Sequence, residues 1–275
     1  MFQDRIRQLL VVVFAILQFV TPVFFGDIFD ESSTMSGQPI YFVPAGYTFL
    51  IWSVIVFLSA TYATYQILPG QTERVLHRCI GWYVMLNTLF FSLWLWAAAQ
   101  QGTFGTPNFQ PIWILLTVII IIGMLLMNIL AFNHLRALKG QLTDRDMWLV
   151  QVPVSVYFGW LSVATIANTT AYLYGIGWTG ELWGVPLTVA LLCVAAIITG
   201  SVLLLFNNIQ GAITYGAIII WATIGIALEN RSQSLAVTVT AVLVAVTILL
   251  VTMYSVNRDG SSHGSEANQP VILGS

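Results

Sequence analysis

The chain has 275 residues, of which 58% are hydrophobic, 13% aromatic and only 7% charged. Soluble domains carry about 25% charged residues, so this composition excludes a water-soluble fold and describes an integral membrane protein. Nine basic and eleven acidic residues give a net charge of −2 with no long run of one sign, which excludes a nucleic-acid footprint.

Eight apolar windows follow in chain order, at residues 8–25, 47–68, 79–99, 111–132, 147–174, 183–206, 212–228 and 235–256. Each approaches or exceeds the roughly 20 residues that cross a bilayer as a helix. The first is preceded by Arg5 and Arg7, as a signal peptide would be, but it is too long and lacks a small-residue cleavage site, so it is expected to be a retained span. The fifth is long enough to tilt or to kink near Pro153. Turn chemistry separates most windows, as at Pro69-Gly70, Gly102 to Pro107, Gly140 and Asn207 to Gly211.

Eight spans place Arg5, Arg7, Arg74, Arg78, Arg136, Lys139, Arg145 and Arg258 on one side and leave only Arg231 opposite. Because basic loops resist translocation, both termini are expected in the cytoplasm, in a bacterial-type cytoplasmic (inner) membrane. The segment 27–43 then lies outside. The Gly- and Ser-rich tail 259–275 is expected to be disordered. The fold class expected is thus all-α, a polytopic transmembrane bundle of about eight spans.

The interior lacks the parts of several functions. No Lys, Arg, Asp, Glu or His occupies the central part of any window, which argues against a proton-coupled pump. His77 and His134 sit beside arginines at the window ends and read as interfacial packing rather than haem ligands. Cys79 and Cys193 form no CxxC or Cys/His cluster and signal neither zinc nor a disulfide framework. No phosphate-binding glycine loop, HExxH or Gly-x-Ser-x-Gly motif is present, so an enzyme would have to rely on loop acids such as Glu181 or Glu229.

What the interior does hold is uncharged polar groups among aromatics. On the third window Tyr83, Asn87, Phe90 and Trp94 recur at steps of three and four, one face of a helix. On the fifth, Pro153, Tyr157, Trp160, Ala164 and Asn168 do the same, and Pro44, Thr48, Trp52, Ser59 and Tyr62 form a stripe leading into and along the second. An aromatic wall with a few convergent polar groups suits a flat hydrophobic ligand, since apolar area gives affinity and hydrogen bonds fix orientation. The same spacing also suits plain helix–helix packing, in which Asn bonds a neighbouring helix. Trp96, Trp113, Trp148, Trp178 and Trp183, near the window ends, fit the interfacial aromatic belts.

Three ordered motifs resemble the TspO/MBR family, the tryptophan-rich sensory proteins related to the mitochondrial translocator protein. The stretch from Phe42 through Pro44 and Tyr47 to Trp52 is similar to that family's proline-bearing loop and aromatic second helix. Leu86-Asn87 with Phe90 and Trp94 resembles its third helix, and Trp160, Ala164 and Asn168 resemble its fifth. A single Pro44 followed by Ala45 replaces the family's double proline, Phe90 stands where a Trp is usual, and Pro153 is one turn further from Trp160. The resemblance covers 1–174 as a five-helix core, with 175–258 as three additional spans.

The resemblance implies a pocket for a tetrapyrrole such as a porphyrin, or a sterol-like molecule, formed by Trp52, Asn87, Phe90, Trp94, Tyr157, Trp160 and Asn168. Pro44 and Tyr47 would belong to a lid built from the loop 27–43. A binding or sensory protein is the leading expectation, with no cofactor required and no metal, and with the lipid bilayer and a hydrophobic small molecule as partners. The alternative is a transporter or permease for a small uncharged or amphipathic solute; light-dependent porphyrin oxidation is a third. Small residues of the last three spans, including Gly200, Gly216 and Gly225, suit close packing within the chain or a homo-oligomer interface.

Overall fold

The computed structural model describes residues 2–25, 34–35, 38–104, 106–178 and 183–267, with 34–35, 38–39 and 259–267 described by their backbone alone. Eight helices are long and apolar enough to cross a membrane. They are α1 (Phe2–Phe25), α2 (Ile51–Ile67, entered through a 3-10 turn at Gly46–Leu50), α3 (Val75–Ala99), α4 (Pro111–Ala137), α5 (Asp144–Gly175), α6 (Val185–Leu205), α7 (Ile209–Asn230) and α8 (Leu235–Ala267). In hydrocarbon only internally satisfied backbones survive, which is why every apolar window becomes a helix. The other regular structure among the described residues is a two-residue antiparallel bridge, Thr34–Met35 against Gln38–Pro39.

Local chemistry sets the helix ends. Pro111 opens α4 and Pro186 lies in the first turn of α6, where a missing N–H costs nothing. Asn208 caps α7 by accepting a bond from the Gly211 N–H at 2.7 Å. Thr143 and Asp146 form a capping box that starts α5. Gly70 and Gly140 take φ of 84° and 82° in the α2–α3 and α4–α5 turns, a left-handed backbone that favours glycine.

The kink expected near Pro153 takes a particular form, a π turn over Met147–Gln151 immediately before it. A proline cannot donate the ordinary backbone bond, and one wider turn absorbs the mismatch. The first helix starts at Phe2, ahead of the apolar window, because Asp4 and Arg7 pair with each other at 2.9 Å and can be buried together. At the tail, the α8 backbone stays helical to Ala267, past the expected limit at Arg258, and residues 268–275 lie outside the described residues.

Helices α1 and α3 run in parallel, linked by Thr21 Oγ1 to Ser92 Oγ (3.0 Å) at one end and by Asp4 to Arg78 (2.9 Å) at the other. Helix α4 returns beside α3, with Trp96 edge-on to Trp113 and Tyr83 stacked on His134. Phe132 of α4 meets Phe158 of α5, and Ser162 of α5 bonds Tyr215 of α7 at 3.1 Å. Helix α8 fills the space beside α7 and α6, donating from Ser255 to the Leu203 carbonyl at 3.0 Å.

The cation-rich turns gather at one end of this bundle. Arg74 pairs with Asp146 at 2.6 Å, Asn207 reaches the Arg136 carbonyl, and Arg258 caps the carbonyls of Leu204 and Phe206. Arg231, just beyond α7, belongs to the opposite end, where Asn230 donates to the Tyr41 carbonyl. His77, expected as an interfacial group, is fully buried at the cation-rich end, with Gln71 Oε1 at 3.0 Å and Tyr62 OH at 3.5 Å. Outside the spans, the hydrogen bonds from Arg74 to the Asp146 carboxylate push the guanidinium pKa above its ordinary value.

Candidate functional site

Near the other end, α2, α3 and α5 converge on a closed box of rings. Trp52, in the first turn of α2, is its centre. Its ring lies 4.9 Å from Phe91 and 5.5 Å from Trp94, both tilted, and edge-on to Trp160 at 5.9 Å and Tyr157 at 6.1 Å. Phe49, from the 3-10 turn, closes the box edge-on to Trp160 at 5.8 Å. Edge-on rings bring a positive rim to a negative face, an arrangement worth about 0.5–1.5 kcal/mol per pair beyond burial.

The hydrogen bonds of the box are only half made. Trp94 Nε1 donates to Asn168 Oδ1 at 3.1 Å, while Asn168 Nδ2 donates to the Ala164 carbonyl at 3.0 Å, so this amide is oriented by its own helix. In contrast, Trp52 Nε1, Trp160 Nε1, Tyr157 Oη, Asn87 Oδ1 and Thr48 Oγ1 are buried without a partner. Each such group costs about 1–3 kcal/mol when left unpaired. All of these groups are uncharged, and among the described residues no cluster of His, Cys, Asp or Glu could hold a metal ion.

Five of the seven expected pocket residues therefore come together: Trp52, Trp94, Tyr157 and Trp160 in ring contact and Asn168 bonded to Trp94, with Asn87 buried two turns from Trp94, and one from Phe91, on α3. Phe90 does not join them. It faces α4, where a Cβ on Gly123 would come within 3.3 Å of its ring, and Phe91 takes the place against Trp52. One residue is a 100° step on a helix, so the Tyr83 and Phe90 edge of the stripe turns to α4 while Asn87, Phe91 and Trp94 turn inward.

The proline loop is held from the side by α7. Pro44 is buried beside Gly225, whose backbone carbonyl accepts from the Ala45 N–H at 3.2 Å. Tyr47, 40% exposed, lies edge-on to Trp221 at 5.5 Å, and Trp221 Nε1 donates to the Thr48 carbonyl at 3.0 Å. Tyr47 thus packs outside the box, and its neighbour Phe49 reaches the rings. Of the lid expected at 27–43, residues 27–33 and 36–37 lie outside the described residues; Ile40 and Phe42 are buried, and Asn230 fixes the Tyr41 carbonyl at 2.9 Å. Phe49 and Phe91 could be found only by their adjacency to named residues, and Trp221, Gly225 and Asn230 carry no local signal of this role.

Neither the comparison with curated proteins nor that with solved structures returned a match. The family model described as TSPO-like protein, however, matches residues 6–254, from the first helix through the last span. The matched stretch includes α7 and its grip on the proline loop as well as the ring box of α2, α3 and α5. With its eight apolar helices and that continuous match, the chain belongs to the TSPO-like family of helical membrane bundles.

Proposed function

We propose that the protein binds a flat hydrophobic ligand, a tetrapyrrole or sterol-like molecule, within the ring box of α2, α3 and α5, and acts as a binding or sensory protein. The observation that carries this reading is the set of buried, unpartnered groups lining the rings: two indole N–H donors, a tyrosine hydroxyl and an asparagine oxygen. In a purely structural core such groups would be paired or replaced by apolar ones. A ligand with acceptors at its edges would satisfy the indoles, and its flat body would lie against the aromatic faces. Admission would require Phe49 and the loop that carries it to swing away from Trp160.

The test is a titration of detergent-solubilised protein with protoporphyrin IX, followed by tryptophan quenching and the porphyrin absorption band. Saturable binding that weakens at least about tenfold in Trp160→Leu and in Asn168→Leu is expected, corresponding to about 1.4 kcal/mol each. Non-saturable quenching, equal in folded variants and wild type, would refute the site.

Transport is the second reading, favoured by the π turn at Met147–Gln151, a wider and weaker turn at the base of the helix that carries Tyr157 and Trp160. It requires protein-dependent flux of porphyrin or steroid into reconstituted vesicles; binding without flux would leave the sensory reading alone. In both cases the cation-rich end would face the cytoplasm of a bacterial-type membrane.

A further inference from the structure

Two polar clusters lie at the cation-rich end, and they differ in their balance of charge. Around Asp146 one carboxylate meets one guanidinium: Arg74 donates twice, at 2.8 and 2.6 Å, and Tyr65 and Thr143 supply the remaining donors. That cluster is neutral and saturated. Around Asp4 one carboxylate meets two guanidiniums: Arg78 donates from Nε and Nη2, both at 2.9 Å, and Arg7 from Nη1 at 2.9 Å.

Glu73 adds a second carboxylate near Arg78, and the two guanidiniums border a cavity of about 510 Å³ lined by Phe2, Gln3, Asp4, Arg7, Arg78 and Trp82. Arg7 is 2% exposed: Nη1 and Nη2 are taken by Asp4 and the Thr72 carbonyl, both at 2.9 Å, and Nε, without a hydrogen-bond partner, lies against Gly81 of α3. The side chain of Arg78 is 45% exposed, so part of its fork remains open to a further acceptor. A half-open guanidinium whose remaining donors are fixed on Asp4 beside a second, buried one is a receptor for an anion's oxygens.

The rim identifies the source of that anion. Phe2 and Trp82 are exposed at the cavity mouth, and Ile6 and Leu9 continue an apolar surface along α1 away from it. Asp4, Arg7 and Thr21 turn the other side of α1 to α3, so Phe2, Ile6 and Leu9 form its outward, lipid-facing side, and Trp82 lies one turn beyond Arg78 on α3. A free phosphate would gain nothing from these groups, whereas a lipid would use both the cation and the apolar surface. We infer that this cavity is a site for an anionic phospholipid, its phosphate held by the open part of Arg78, which Asp4 and Arg7 fix in place, and an acyl chain lying against Trp82 and the outward apolar face of α1. The site stands apart from the ring box and does not depend on what binds there.

The test is native mass spectrometry of the full-length protein in detergent, titrated with phosphatidylglycerol, with phosphatidylcholine and with inorganic phosphate. One half-open guanidinium near an anionic headgroup corresponds to about a fivefold preference, so phosphatidylglycerol is expected to bind about fivefold tighter than phosphatidylcholine. Arg78→Gln is expected to remove that preference, with its fold checked by circular dichroism. Trp82→Ser leaves the ion pairs in place and is expected to weaken retention of both lipids, which keeps the proposal testable if Arg78→Gln does not fold. Equal retention of the two lipids by wild type, an unchanged preference in folded Arg78→Gln, or unchanged retention in Trp82→Ser would overturn the site. Displacement of phosphatidylglycerol by equimolar inorganic phosphate would overturn the assignment to a lipid.

Discussion

Gly225→Ala is the smallest change that should reach the ring box from outside it. A Cβ at Gly225 would overlap Thr48 Oγ1 and approach Thr48 Cγ2 at 3.0 Å and Pro44 Cβ at 3.1 Å. None of these atoms is the free end of a long side chain, so the loop must move off α7. That stretches the Ala45 to Gly225 bond (3.2 Å) and the Trp221 to Thr48 bond (3.0 Å). Each bond contributes about 1 kcal/mol net, and overpacking of this kind costs about 1–3 kcal/mol. The better helix propensity of alanine returns up to about 1 kcal/mol, which leaves a loss of about 2–4 kcal/mol. Since Thr48 adjoins Phe49, the edge-on pair with Trp160 should loosen as well, and because a ligand enters only when Phe49 swings away, protoporphyrin affinity should rise, by up to about tenfold. The assay is unfolding in mixed micelles of rising SDS fraction, paired with the porphyrin titration. Gly200→Ala supplies the control, because its Cβ would meet nothing within 4 Å. If Gly225→Ala proves as stable as Gly200→Ala, the docking of the loop on α7 is not what holds the site, and the reasoning fails.

Three further outcomes follow from the same geometry. Asp146→Asn removes the fully buried partner of Arg74 and a capping acceptor of α5, and should cost about 3 kcal/mol in the same unfolding assay; a loss below about 1 kcal/mol would show the clamp to be ornamental. Trp52→Phe deletes an unpartnered N–H while keeping an aromatic ring, so unliganded stability should change by less than about 1.5 kcal/mol while porphyrin binding weakens; the reverse pattern would mean that the indole serves packing alone. For topology, Lys139→Cys and Ser232→Cys should label from opposite sides of sealed vesicles with a membrane-impermeant maleimide, Lys139 from the cytoplasmic side; labelling from one side would break the eight-span arrangement.

The fold was largely legible because hydropathy is a local property: each apolar window can be recognised without knowing its neighbours, and the eight windows map onto the eight helices. The box was legible in part for a similar reason. Trp52, Trp94, Trp160 and Asn168 stand at helical intervals, and helical phase is carried in spacing. Phase was also where the reading slipped, since Phe90 and Phe91 are adjacent, equally aromatic and 100° apart, and only the positions of α4 and α2 decide which one turns inward. Trp221, Gly225 and Asn230 were out of reach because their role exists only against Pro44, Thr48 and Tyr41, well over a hundred residues earlier in the chain. Gly225 in particular looks like any small residue on an apolar helix until the loop is laid against it.

That long-range contact bears on how the site could work. The rings on α2, α3 and α5 form a sealed box with several unpaired polar atoms, a state that is costly inside yet held closed from outside by α7. The holding contacts are few: two hydrogen bonds to the loop backbone at Ala45 and Thr48, one to Tyr41, and the fit of Pro44 and Thr48 over Gly225. A ligand that paired the buried indoles would recover energy of the same order as these contacts, so loop release and ligand binding are matched in magnitude. Two sites linked by such a balanced exchange are thermodynamically coupled, because whatever loosens the loop favours occupancy and occupancy loosens the loop. Under the proposed sensory reading, α7 is therefore the element through which occupancy of the box would be felt elsewhere in the bundle, passing from Phe49 through the loop to Gly225 and onward to α8, where Gly216 packs against Thr252.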